Sequence, residues 1–217
     1  MSPPRLIIAG AGGLGREIAG YARDALAAGR LRAELAGFLD DTDADPAAFG
    51  LGLPVLGTID NFRPQERDRL VVAVGAPADR AAIARRLEGH GARFITILHP
   101  LAWVAEPSRI EEGCVIAPFA TIGMNARLGR HCLINTHAGI GHDAELGACT
   151  VVSPHGVLNG RVRTGERVLI GSAAVVTPGR AIGDDAQVSA GAVVQGDVSG
   201  GATVWGNPAR PLPQPKA

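Results

Sequence analysis

Residues 122–145 read IGMNAR LGRHCL INTHAG IGHDAE, four hexapeptides that each open on an aliphatic residue. The frame runs on in both directions. Stepping by six from Ile110 to Val194 meets an aliphatic side chain at fourteen of fifteen positions, Thr164 being the exception, with no insertion. Four places after each comes a small or compact residue, from Cys114 to Val198, with Arg180 the one departure. Glycine often follows the aliphatic directly, as at Gly123, Gly129, Gly141, Gly147 and Gly171. Self-similarity at a fixed short period marks a repeat architecture. Six residues make one short strand and a turn, so three repeats make a triangular coil of 18, and each coil pairs its backbone with the next. Residues 18 apart therefore stack at about 4.8 Å. Fifteen repeats predict five coils of parallel β-helix over residues 101–217.

The rest of the chain reads differently. Leu6–Ala9 is an apolar strand, followed by Gly10-Ala-Gly-Gly-Leu-Gly15 and a helical stretch from Arg16 to Ala28. Ala36–Leu39 predicts a second strand ending in Asp40-Asp41, and Arg69–Val74 a third ending at Gly75. A helix from Ala78 to Glu88 and a fourth strand from Arg93 to Leu98 follow. Strands alternating with helices predict a parallel α/β, Rossmann-like domain over residues 1–100. The Gly-rich turn frees backbone N–H groups at a helix N-terminus, a ready anion site, and Asp40 and Asp41 are placed to accept hydrogen bonds from ribose or sugar hydroxyls. The segment holds only one mononucleotide half, and G-x-G-x-x-G alone also fits a tight turn with close helix packing.

The 217 residues carry 21 basic and 21 acidic side chains, so neither nucleic acid nor an anionic membrane surface is expected as a partner. No apolar run approaches a bilayer span and no leader is visible, so no membrane insertion is expected. Cys114, Cys132 and Cys149 are an odd number without metal-type spacing, which fits a reducing, cytoplasmic setting. No G-x-x-x-x-G-K-[ST] is present, which argues against ATP chemistry.

The two halves together resemble the sugar O- and N-acetyltransferases of the sialic acid and bacillosamine pathways. The motifs that carry the resemblance are the Gly-rich turn, Phe38-Leu-Asp-Asp41, Val72-Ala-Val-Gly75 and the hexapeptides, and it spans Leu6 to Arg210. The resemblance implies that the β-helix is left-handed, although the general rule for parallel crossovers would give a right-handed one. It implies acetyl-CoA as co-substrate, a nucleotide-linked sugar held by Gly12, Gly13, Leu14, Asp40, Asp41 and Gly75, and a homotrimer with active sites at subunit interfaces.

Acyl transfer from a thioester needs a base for the acceptor's proton and donors for the oxyanion. Of six histidines, His90 and His99 read as structural. His131, His137 and His155 fall three places after an aliphatic, whereas His142 falls two places after Ile140 and is followed by Asp143. The family places its base at this point, so the resemblance makes His142 the base and Asp143 its orienting carboxylate. Gly160 lies 18 residues on, where the family uses a glycine backbone at the oxyanion. His137 and His155 are 18 apart and should stack, as ligands of CoA or acceptor or as spectators. The family often has a further histidine where this chain has Val151. For CoA the resemblance implies backbone near Ser172 and Ala190, and Arg180 and Arg210 are candidates for its phosphates.

Two other readings compete. Left-handed β-helices also carry γ-class carbonic anhydrases, and His137 and His142 have a spacing that suits their zinc site, but no third ligand falls near positions 101–106. The other reading is a nucleotide-binding trimer with no catalysis.

Overall fold

The computed structural model describes residues 2–42 and 44–212; Met1, Asp43 and residues 213–217, which include the ends of both expected domains, lie outside the described residues. The chain begins with β1 (Arg5–Ala9), α1 (Gly13–Ala27), β2 (Glu34–Leu39), β3 (Asp68–Val72) and α2 (Pro77–Gly89). The three strands form a parallel sheet in the order β2-β1-β3. β1 is apolar at consecutive positions because both faces are covered, as parallel sheets require. Leu6 and Ile8 pack with Ile18, Ala19 and Ala22 of α1, while Ile7 and Ala9 pack with Ala84 and Leu87 of α2.

The second half is a parallel β-solenoid of two-residue strands. Face 1 stacks Ile97–Leu98, Val115–Ile116, Leu133–Ile134, Val151–Val152, Leu169–Ile170, Gln187–Val188 and Thr203–Trp205. Face 2 stacks Trp103–Val104, Thr121–Ile122, Gly139–Ile140, Val157–Leu158, Val175–Val176 and Val193–Val194. Face 3 stacks Arg109–Ile110, Arg127–Leu128, Glu145–Leu146, Arg163–Thr164 and Ala181–Ile182. In each pair the second residue points inward, and the small residues four places on complete the interior: Cys114, Ala120, Ala126, Cys132, Ala138 and Ala144 are all fully buried. The residue three places after the aliphatic turns each corner in the left-handed region, and the non-glycine ones from Phe119 to Asp185 have φ between 54° and 61°. Such a backbone is costly for most side chains. It persists because each corner N–H is tied to the coil below, as Asp143 N to Met124 O and Arg161 N to His142 O.

Outward residues differ from face to face. On face 1, Val115, Leu133 and Val151 are buried under α1, which is how the α/β domain docks. Fully burying each such aliphatic contributes about 1.5–3 kcal/mol as an upper estimate. His99 strengthens the joint: its Nδ1 accepts from Leu101 N–H and its Nε2 meets Asp24 Oδ2 at 3.1 Å. Arg80 of α2 is fully buried and donates to the carbonyls of His131 and Val74.

Three expectations need correction. The strand expected over 93–98 divides: Phe94 bridges Leu70 of the α/β sheet, whereas Ile97–Leu98 pairs with Val115–Ile116 as the first rung of the solenoid. The chain leaves one sheet for the other within three residues because the docked domain brings the two edges together. The solenoid also begins two repeats earlier than Ile110, since Leu98 and Val104 keep the same frame of six. At the other end Val198, expected at a small-residue position, pairs with Ile182, and Val204 pairs with Val188. These partners are 16 apart, so the turn after Val194 is two residues short and Val198 takes an aliphatic position. No helix among the described residues is long and apolar enough to cross a membrane.

Candidate active site

His142 sits at the corner that follows face 2. Its Nδ1 meets Asp143 Oδ2 at 2.7 Å, and the other carboxylate oxygen, Oδ1, accepts from Asn125 Nδ2 at 2.7 Å. Hydrogen bonds from Asn125 and then from the His142 ring hold the Asp143 carboxyl below the usual carboxylate range. A carboxylate facing Nδ1 assigns the ring proton to that nitrogen and leaves the lone pair on Nε2. The His142 side chain is 58% exposed, so the ring can be reached from solvent.

Gly160 lies against this ring. A Cβ placed there would stand 2.5 Å from Nε2, 2.7 Å from Cε1 and 3.0 Å from Cδ2, so only glycine leaves the imidazole its position. Along this corner the carbonyls of Met124, His142 and Gly160 accept from Asp143, Arg161 and Gly179, while the N–H groups of these three take no part in that ladder. A tetrahedral oxyanion beside Nε2 would therefore find an uncommitted backbone N–H at Gly160.

Farther along the same corner, Arg180 folds back over Pro178, its Nε donating to that carbonyl. Arg210 lies in the closing hairpin (Thr203–Trp205 with Arg210–Pro211) and lines a cavity of about 260 Å³ with Gly196 and Asp197. The other expected CoA residues lie elsewhere in the monomer. His155, Ser172 and Ala190 follow one another up the corner that precedes face 2. There His137 and His155 stack with centroids 4.8 Å apart and planes 4° apart, and Phe119 continues the stack at 4.9 Å. The expected site residues thus occupy the two long edges of face 2. Between them run the outward side chains Val157, Val175 and Val193, with Trp103 exposed at one end.

His131 shares its register with His137 but faces the third corner, buried against Phe94 and near Glu88 of α2. His90 caps the end of α2. His137 and His142 occupy opposite edges of face 2, and among the described residues no group of three or more His, Cys, Asp or Glu is arranged to hold a metal ion.

In the α/β domain, Gly12, Gly13, Leu14, Asp40 and Asp41 line a cavity of about 390 Å³, joined by Ile59, Ala73 and Val74. α1 starts at Gly13 with Gly12 as its N-cap and no side-chain cap, so its first N–H groups face the cavity mouth. Gly75 is not part of this wall; it abuts Leu14, 3.9 Å from where its Cβ would be. The acidic pair, expected to accept from ribose or sugar hydroxyls, has partners within the chain. Asp40 accepts from Ala11 N–H and from the N–H and hydroxyl of Thr42, at 2.6–2.8 Å. Burial raises the Asp40 carboxyl, but these hydrogen bonds outweigh it and hold the group below its ordinary value. Asp41 accepts from Ile59 N–H and pairs with Arg86 at 2.8 Å. Both carboxylates brace the loops around the cavity.

Asn125 escaped the sequence reading, although it lies 18 residues before Asp143 and the coil length alone marks it. The apolar cavity wall of Ile59, Ala73 and Val74 carried no motif.

Residues 5–87 match the family model of the PglD N-terminal domain. The whole chain is similar to the acetyltransferase domain of PglB from Neisseria gonorrhoeae FA1090. The two are 33% identical over 96% of this chain and 100% of that one, with a TM-score of 0.86. It is also similar to PerB from Caulobacter crescentus, whose structure holds CoA and GDP-perosamine: 32% identical, 96% and 97% covered, TM-score 0.84. Among curated proteins, YvoF of Bacillus subtilis (strain 168) is 51% identical over 51 residues, a stretch spanning 24% of this chain and 30% of that protein.

Proposed function

The chain belongs to the hexapeptide-repeat sugar acetyltransferases with a PglD-type N-terminal domain, and we propose that it carries an acetyl group from acetyl-CoA to a nucleotide-linked sugar, with His142 as general base. The observation that carries this reading is the His142–Asp143 pair, with the imidazole lying against Gly160. The PglB domain has been solved with acetyl-CoA, and a perosamine N-acetyltransferase from Caulobacter crescentus, 31% identical, has been solved with CoA and GDP-perosamine. An amino sugar on a nucleoside diphosphate is therefore the acceptor we favour, with a sugar hydroxyl as the alternative.

In this mechanism the acceptor nitrogen attacks the thioester carbonyl as His142 Nε2 takes its proton. Asp143 stabilises the imidazolium that forms, and the Gly160 N–H meets the oxyanion. Collapse expels the CoA thiolate, which recovers the proton from His142. The 390 Å³ cavity holds the nucleotide, its phosphates at the N-terminus of α1.

The split of site residues between the edges of face 2 supports a trimer. In a three-fold ring, the His142–Gly160–Arg180 edge of one copy lies beside the His155–Ser172–Ala190 edge of the next, and the groove between them takes the CoA arm. The apolar outward row of Val157, Val175 and Val193 suits such a contact. A cytoplasmic location, with its supply of acetyl-CoA, fits this activity.

The test is thiol release from acetyl-CoA against a panel of nucleoside diphosphate amino sugars. The expected result is turnover with at least one of them, falling on the order of 10²–10⁴ in His142→Ala. Near-normal turnover by that variant on the true acceptor would move the base elsewhere, His137 and His155 being the alternatives.

A further inference from the structure

Asp143 hangs at a turn. It lies in the left-handed region, φ 58°, with its side chain 45% exposed. A carboxylate so placed samples several rotamers unless something holds it, and an orienting carboxylate that wanders does not orient. The residue that holds it comes from the coil below. Asn125 occupies the same corner position 18 residues earlier, φ 61°, and its Nδ2 donates to Asp143 Oδ1 at 2.7 Å. The second oxygen, Oδ2, is thereby turned to His142 Nδ1, also at 2.7 Å. Asparagine tolerates the left-handed backbone better than most residues, so the corner accepts it at little strain. No third side chain forms a hydrogen bond with the Asp143 carboxylate among the described residues.

We propose that Asn125 is a positioning residue for the acetyl transfer, acting through Asp143 to fix the ring of His142. This rests on the reading of His142 as base. The amide does not touch acceptor or CoA; it sets how often the carboxylate faces Nδ1 and therefore how often Nε2 presents its lone pair. The stack Asn125–Asp143–His142–Gly160 thus spans three consecutive coils, each supplying one part of the constellation. The geometry also gives Asn125 a sign: an amide donor in this place favours the charged carboxylate, whereas an acid would repel it.

The test uses the full chain. Asn125→Gly removes the amide and suits the left-handed φ, so folding is not at issue; Asn125→Asp keeps the shape and replaces the donor by a charge. Asn125→Gly should lower kcat on the order of 3–10-fold, the worth of one exposed hydrogen bond, and leave KM for acetyl-CoA within twofold. In an Asp143→Ala background the same change should cost nothing, because no carboxylate remains to be held. Asn125→Asp should move the acid limb of the kcat/KM profile to higher pH, since added negative charge beside the ring favours its protonated form. An undiminished kcat in Asn125→Gly, or a loss that persists in the Asp143→Ala background, overturns the proposal. If His142→Ala itself keeps turnover, the base assignment fails and this proposal with it; if His142→Ala is dead and Asn125→Gly is normal, only the role of Asn125 is lost.

Discussion

Gly160→Ala is the substitution that most directly tests the site. The added Cβ would stand 2.5 Å from His142 Nε2 and 2.7 Å from Cε1. Real Cβ contacts essentially never fall under 3.0 Å and are ordinary near about 3.5–4.0 Å, so the ring must retreat by about 1 Å or swing to another rotamer. Either movement carries Nε2 away from the acceptor, and the new methyl group occupies the space between them. A misplacement of about 1 Å costs on the order of 10²-fold in rate. The fold should be untouched. Gly160 does not have a positive φ, so alanine meets no backbone penalty there. The atom it approaches is the far end of an exposed side chain, not backbone or interior. Turnover followed by thiol release should therefore fall about 100-fold while the melting temperature stays within about 2 °C. Full activity in Gly160→Ala would refute the placement of the His142 ring. Lost activity accompanied by a large drop in melting temperature would show that the glycine serves the fold instead.

Tyr21 is the chain's single tyrosine, so its ultraviolet titration reads one group. Burial, with help from Glu17, raises it from 10.0 to about 12, and the folded protein should ionise with a midpoint near 12. The neutral form is the one favoured by folding, so this contribution to stability is complete below pH 10 and lost as pH rises towards 12; a midpoint at 10 in folded protein would exclude the buried environment. Leu133→Ala removes an aliphatic clamped between face 1 and α1, and should destabilise by about 2–5 kcal/mol in denaturant titrations, against within about 0.5 kcal/mol for the exposed Arg163→Ala. Mixing His142→Ala with Ser172→Trp, each inactive alone, should restore activity in about a quarter of sites if each groove takes one edge from either copy of a trimer. No recovery after subunit exchange would place both edges' functions within one chain.

The repeat made much of this protein legible in advance. A period of six and a coil of 18 are local arithmetic, so the interior rows, the stacking of His137 on His155, and the placement of Gly160 beside His142 all follow from counting. The pairing of Asn125 with Asp143 was within reach of the same count. The arithmetic sets height along the axis and the face or corner on which a residue sits. It does not say what covers each face. His131 and His137 have the same place in the repeat, yet one is buried beneath α2 and the other stacks in solvent, because the α/β domain docks on face 1 and leaves face 2 open. The split of residues 93–98 between two sheets has the same origin. These are contacts between segments tens of residues apart, decided by how two separately patterned halves meet. Local periodicity carries no record of that meeting; only the tertiary structure does.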